Sequence, residues 1–149
     1  MSNHLQNLVA EFNRLCDVDM PDASTPLDLQ TAILRIRLIT EESHEFSQEA
    51  IKGKLAESIK ELVDILYVTY GALLAMGIHD VTPFFEEVHH SNMSKVWADG
   101  TVHKREDGKI LKPDSYMPAN IQGILNAMAR LDELMSGEFV KDLGTTQYK

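Results

Sequence analysis

Two short runs in this chain carry side chains able to hold a hard metal ion. The first is Glu41-Glu42-Ser43-His44-Glu45 and the second is Glu61-Leu62-Val63-Asp64. On a helix, residues three apart share a face, so Glu42 pairs with Glu45 and Glu61 with Asp64. Stepping about 100° per residue shows which face each pair occupies. Glu42 and Glu45 straddle the direction of Leu38, and Leu34 points close to Glu45. Glu61 and Asp64 straddle the direction of Val68, with Ala75 beside it. Each acidic pair therefore prolongs an apolar stripe, where a solvated polar face would not be. Asp64 is also the only charged residue between Leu62 and Ile78.

Such a placement has a cost. Two like charges about 5 Å apart repel by roughly 3 kcal/mol at an effective dielectric near 20. Four converging carboxylates make six pairs and about 10–20 kcal/mol of repulsion, which rivals the roughly 5–15 kcal/mol stability of a whole domain. Either protons or divalent cations neutralise the cluster, or the four do not converge. In the second case they are solvated acids paired with Lys52, Lys54 and Lys60. An all-oxygen site suits Mg²⁺ or Mn²⁺.

The elements that would position these side chains are mostly helices. Leu5, Leu8, Val9, Phe12 and Leu15 give a first helix over residues 5–16. Thr25-Pro26-Leu27-Asp28 reads as an N-cap, a Pro at the first helical position and an acid in the first turn. A second helix then runs to residue 51 or 52, where Gly53 breaks it. The third spans 55–76 and ends at Gly77, a left-handed C-terminal position. Thr82-Pro83 repeats the cap signature and opens a fourth helix to residue 97. Residues 101–105 and 109–111, around Glu106-Asp107-Gly108, read as a small β-hairpin. A last helix covers 119–135. Short connections between helices imply antiparallel neighbours, hence an all-α antiparallel bundle with one hairpin after the fourth helix.

Composition agrees with one globular domain. The chain has 149 residues, 44% of them hydrophobic, and a single Cys that cannot form an internal disulfide. The division expected is a domain over 1–135 and a C-terminal tail over 136–149. A net charge of -9 disfavours general binding to nucleic acid or an anionic membrane. The charge is unevenly spread. Residues 41–64 hold seven carboxylates and three lysines, whereas residues 93–112 hold five basic side chains and three acidic ones. The most apolar stretch, residues 62–78, is at the short limit for a membrane span and contains Asp64. The N-terminus, Met1-Ser2-Asn3-His4, lacks a basic region followed by an apolar one. The expected compartment is the cytoplasm.

Glu-Glu-x-x-Glu followed by Glu-x-x-Asp on the next helix resembles the metal-binding signature of the all-α nucleoside triphosphate pyrophosphohydrolases. That superfamily includes MazG, the dimeric dUTPases and phosphoribosyl-ATP pyrophosphohydrolase. The similarity extends over Arg35-Ile36-Arg37-Leu38-Ile39, Asp64-Ile65-Leu66-Tyr67-Val68 and Gly71. It continues through Phe85-Glu86-Glu87-Val88-His89-His90-Ser91-Asn92-Met93-Ser94-Lys95 and the run from Lys104 to Pro113, with Tyr116 just after. The chain departs from the pattern at His44 and after Asn126. The resemblance implies hydrolysis between the α- and β-phosphates, giving a nucleoside monophosphate and pyrophosphate. It implies Glu42, Glu45, Glu61 and Asp64 as ligands of a first Mg²⁺, with Mn²⁺ an alternative. Glu41 would be a second-metal ligand or the general base for the attacking water. Asn92, Lys95, Lys109 and Lys112 would contact the phosphates. It also implies a homodimer or dimer of dimers, which the all-round apolar segment 32–39 suits.

Two other functions fit parts of the chain. Glu41-x-x-His44 and Glu86-x-x-His89 match the Glu-x-x-His pattern of di-iron carboxylate bundles. However, His44 points well away from both Glu42 and Glu45, so such a site would waste the stripe-aligned acids. A non-catalytic MazG-like interaction module would keep the fold and lose the chemistry, yet all five acids are present.

Overall fold

A computed structural model describes residues 3–136. The order is α1 (His4–Leu15), α2 (Leu29–Ile51), α3 (Leu55–Ala75), α4 (Thr82–Met93) and α5 (Ile121–Met135). These residues form two compact units that divide after Val81. Residues 137–149, most of the expected tail, lie outside the described residues. No helix among the described residues is long and apolar enough to cross a membrane.

The first unit is a three-helix arrangement in which α3 packs against both α1 and α2. Its core is small. Val9 and Ala10 of α1 meet Leu74 of α3, with Met20 and Tyr70 packed against them. Phe12 meets Tyr67 edge-on at 6.1 Å between ring centroids. A buried glutamine joins α1 to the segment after α3. Gln6 donates to the Ile78 carbonyl and accepts from Val81 N at 3.1 Å and from Asn3 Nδ2 at 2.7 Å.

The helix ends follow local chemistry, with one correction. The N-cap of α2 is Asp28, not Thr25. The Asp28 carboxylate accepts from Gln30 N at 2.8 Å, Thr31 N at 3.0 Å and Thr31 Oγ1 at 2.6 Å. A carboxylate at the cap takes several donors at once. Thr25 is engaged elsewhere, its N donating to the Met76 carbonyl at 3.0 Å. Gly53 (φ 70°) closes α2, and Gly77 (φ 73°) sits just past α3. Ile78 N returns to the Leu73 carbonyl at 2.9 Å, and Gly77 N to that of Leu74 at 3.0 Å. This double closure is the Schellman pattern.

The second unit pairs α4 with α5. The fourth helix ends at Met93, short of the expected residue 97. Ser94 Oγ donates to the Ser91 carbonyl and accepts from Met117 N, while Trp97 N donates to the Thr101 carbonyl instead of to a helical partner. The expected β-hairpin is not there, and no strand occurs among the described residues. What remains is one antiparallel bridge, Lys104 to Ile110, with Arg105 N to Lys109 O at 2.8 Å and Leu111 N to His103 O at 2.9 Å. The physical reason is the lack of a face to bury. Nearly every residue from 101 to 112 is exposed, and a two-stranded ribbon without packing is marginal in water.

Candidate metal centre

α2 and α3 form an antiparallel helical hairpin across a three-residue connection, so each step forward along α2 is matched by a step back along α3. Near the turn, Glu45 lies by Glu61. One turn further, Glu42 feels the charge of Asp64. Two turns beyond that, Arg35 faces Gly71. The stripe read from helical spacing is thus the hairpin seam, and Glu42 and Glu45 meet Glu61 across it.

Carboxylate oxygens of Glu42, Glu45 and Glu61 all lie within 4.8 Å of one another. Glu61 is 6% exposed, Glu42 is half-buried and Glu45 is exposed. The cluster therefore opens from a buried floor toward solvent. Partial burial pushes the Glu42 carboxyl above its usual range, and the negative charges of Asp64 and Glu45 add to the effect. Asp64 stands outside the trio and pairs with a cation. Lys60 Nζ lies 2.7 Å from Asp64 Oδ2 and 3.1 Å from both oxygens of Glu61. Those two contacts hold the Lys60 ammonium firmly protonated. Of the two readings of these acids, convergence and lysine pairing, each holds for part of the set. Glu61 and Asp64 share Lys60, whereas Glu42 and Glu45 form no ion pair among the described residues. Lys52 and Lys54 serve Glu49 instead, at 2.6 and 2.9 Å.

The donor set fits a hard divalent ion. It is all oxygen and anionic. Oxygens on opposite sides of an octahedral Mg²⁺ are about 4.2 Å apart. Of three ligands only one pair can stand opposite, and adjacent ones are about 3 Å apart, so binding draws the oxygens in from separations of up to 4.8 Å. Glu41 is exposed and lies outside the trio. His44 is exposed too, and its ring pairs with Gln48 at 2.8 Å, so nothing ties it to the acids as a di-iron site would require.

The four expected phosphate contacts lie in the second unit. Lys95 Nζ donates to Asn92 Oδ1 at 2.6 Å, as expected for residues three apart on one helical path. Lys112 Nζ sits 4.1 Å over the Tyr116 ring. Tyr116 in turn accepts from Ser91 Oγ at 3.3 Å, one turn before Lys95. That hydrogen bond, with the charges of Lys112 and Lys95, draws the phenol below its usual range. Asn92, Lys95 and Lys112 are thus gathered around Tyr116. Lys109 is apart from them, in the exposed turn where its N donates to Asp107 Oδ1 at 3.0 Å.

Sequence reasoning gave Lys60 only as a possible surface partner and passed over Arg35. Both carry a signal in their spacing. Lys60 is four residues before Asp64, the ion-pair spacing on a helix. Arg35 is seven before Glu42, two turns along one face. No curated protein matches the chain. The family model of phosphoribosyl-ATP pyrophosphohydrolase matches residues 9–92, more than half of the chain and all of the acidic hairpin. With that match, an all-helical fold among the described residues and an acidic seam of this kind, the chain belongs to the phosphoribosyl-ATP pyrophosphohydrolase family, within the MazG-like all-α group.

Proposed function

We propose that this protein hydrolyses a nucleoside triphosphate between its α- and β-phosphates, releasing a nucleoside monophosphate and pyrophosphate, with Mg²⁺ as the cofactor. The observation that carries the reading is the approach of Glu42, Glu45 and Glu61 oxygens across one helical hairpin, in a family of pyrophosphohydrolases. Glu42, Glu45, Glu61 and Asp64 hold the ion. For Asp64 to join them, it must give up part of its pairing with Lys60. When bound, the ion neutralises the phosphates and the charge growing on the leaving pyrophosphate. Glu41, exposed on the same helix as Glu42 and Glu45, takes the proton of the attacking water. Asn92, Lys95 and Lys112 supply phosphate contacts, lysines as point charges and Asn92 as a neutral donor, and Lys109 is a fourth contact from its turn. These residues belong to one functional domain over 1–135, working in the cytoplasm on the nucleotide pool.

The deciding experiment is pyrophosphate release from a panel of nucleotides with Mg²⁺, for wild type, Glu45→Ala and Asp64→Asn. Wild type releases pyrophosphate from at least one nucleotide, and both variants lose about 100-fold or more. Millimolar Mg²⁺ raises the melting temperature of wild type and barely moves that of Asp64→Asn. A wild type that releases nothing and whose melting ignores Mg²⁺ and Mn²⁺ refutes the proposal.

A further inference from the structure

Arg35 has no part in the mechanism above. It lies on the same face of α2 as Glu42, about 10 Å further along the seam. Its Nε is shielded from solvent and has no hydrogen-bond partner. No carboxylate forms an ion pair with it among the described residues. Facing it is Gly71 of α3. A Cβ at that position would come 3.1 Å from Arg35 Nη1 and 3.9 Å from the buried Val9 side chain. The missing side chain gives the guanidinium its room. A buried Nε–H without a partner and a mid-helix glycine each weaken a helical hairpin, and here they belong to residues that face one another. Rules broken together in one place mark a functional position.

The chemistry narrows what Arg35 awaits. A guanidinium stays charged and offers only donors. No group among the described residues accepts from its buried Nε, which leaves that donor for an acceptor carried by a ligand. Leu38 and Val68, both half-buried and apolar, occupy the intervening positions between Arg35 and the acids. They suit a flat, weakly hydrated ring better than a second phosphate. The spacing from the acids to Arg35 is comparable to that from the α-phosphate to the far edge of the base in an extended nucleotide.

We propose that Arg35 reads the nucleobase of the substrate, donating to a keto oxygen on its edge, and that Gly71 keeps open the space this requires. Guanine and uracil present such an oxygen and adenine does not. The proposal rests on the pyrophosphohydrolase reading for its substrate, and it adds a specificity residue to it.

The test compares GTP, UTP and ATP in wild type, Arg35→Met and Gly71→Ala. Wild type favours GTP and UTP over ATP. Arg35→Met raises KM for GTP and UTP by about 10- to 100-fold, leaves ATP nearly unchanged and preserves kcat. It also melts no lower than wild type without ligand, because an unpaired buried donor has been removed. Gly71→Ala keeps the arginine but crowds it, so it loses the same preference, and it answers the question if Arg35→Met does not fold. A uniform loss across all three nucleotides, a loss in kcat alone, or a smaller assembly for Arg35→Met overturns the proposal. Calorimetric binding of non-hydrolysable GTP and ATP analogues separates the two claims. A wild type that prefers the GTP analogue yet turns over no nucleotide sinks the hydrolase reading and supports the base contact. Equal binding by wild type and Arg35→Met sinks the base contact whatever the turnover.

Discussion

Lys60 is the most informative single side chain for the acidic seam. It is mostly exposed, yet its ammonium touches Asp64 and both oxygens of the buried Glu61. In the absence of a divalent ion it is, among the described residues, the cation paired with the α3 side of the cluster. Glu42 and Glu45 form no ion pair among the described residues, and partial burial, with the charges of Asp64 and Glu45, makes Glu42 hold its proton more tightly than an ordinary glutamate. Replacing Lys60 by Met removes its charge and leaves the carboxylates. The variant should melt below wild type without metal and close to it with millimolar Mg²⁺, so its metal-induced rise in melting temperature exceeds that of wild type. Differential scanning calorimetry with and without Mg²⁺ decides this. An equal deficit in both conditions would make Lys60 a structural residue only. Asp64 and Glu61 were legible as a pair from their spacing. Their shared lysine was not, because Lys60 had several acids within helical reach and only side-chain packing selects among them.

At the scale of elements, the two positive-φ glycines that end α2 and α3 separate local from non-local constraint. Gly53 (φ 70°) has nothing within 4 Å of where a Cβ would be, whereas a Cβ on Gly77 (φ 73°) would run into the Ala23 carbonyl. Gly53→Ala should cost about 1 kcal/mol, the penalty of a left-handed alanine. Gly77→Ala should cost about 2–3 kcal/mol, because backbone must also move. Urea unfolding of both variants checks the ordering, and equal costs would show that the Ala23 backbone gives way without penalty. The helices themselves were readable from periodicity and punctuation. The third was expected over 55–76 and spans Leu55–Ala75. The start of α2 was misplaced because Thr-Pro and Asp-x-x-Thr both spell a cap, and the charged one won. The hairpin failed for a different reason. Its turn chemistry was right, with Gly108 at φ 81°, but a turn does not supply the buried face that strands need.

At the scale of the whole molecule, the arrangement leaves much apolar surface uncovered. No residue of α2 is buried, and Leu29, Ile33 and Ile36 are 76%, 57% and 65% exposed. Leu62, Val63 and Leu66 of α3 are exposed as well. Contiguous apolar surface on this scale marks an association face in a soluble protein. A second copy of the chain is the partner we propose, as a dimer or a dimer of dimers. Ile36→Glu should dissociate the assembly in sedimentation experiments and remove the concentration dependence of melting. A wild type that sediments as a monomer at micromolar concentration would exclude this.

By itself the sequence determined the helices, the family and the direction in which the acidic pairs point. These are short-range properties. A regular helix turns spacing into direction, so Glu42, Glu45, Glu61 and Asp64 could be placed on core-facing stripes before any fold was known. Only the tertiary structure decided that three of those carboxylates share a centre while Asp64 turns to Lys60, that Arg35 faces a glycine and no acid, and that residues 101–112 make one bridge and no strands. Each of those outcomes depends on what a second element places opposite the first, and helical spacing along one element carries no record of its neighbour.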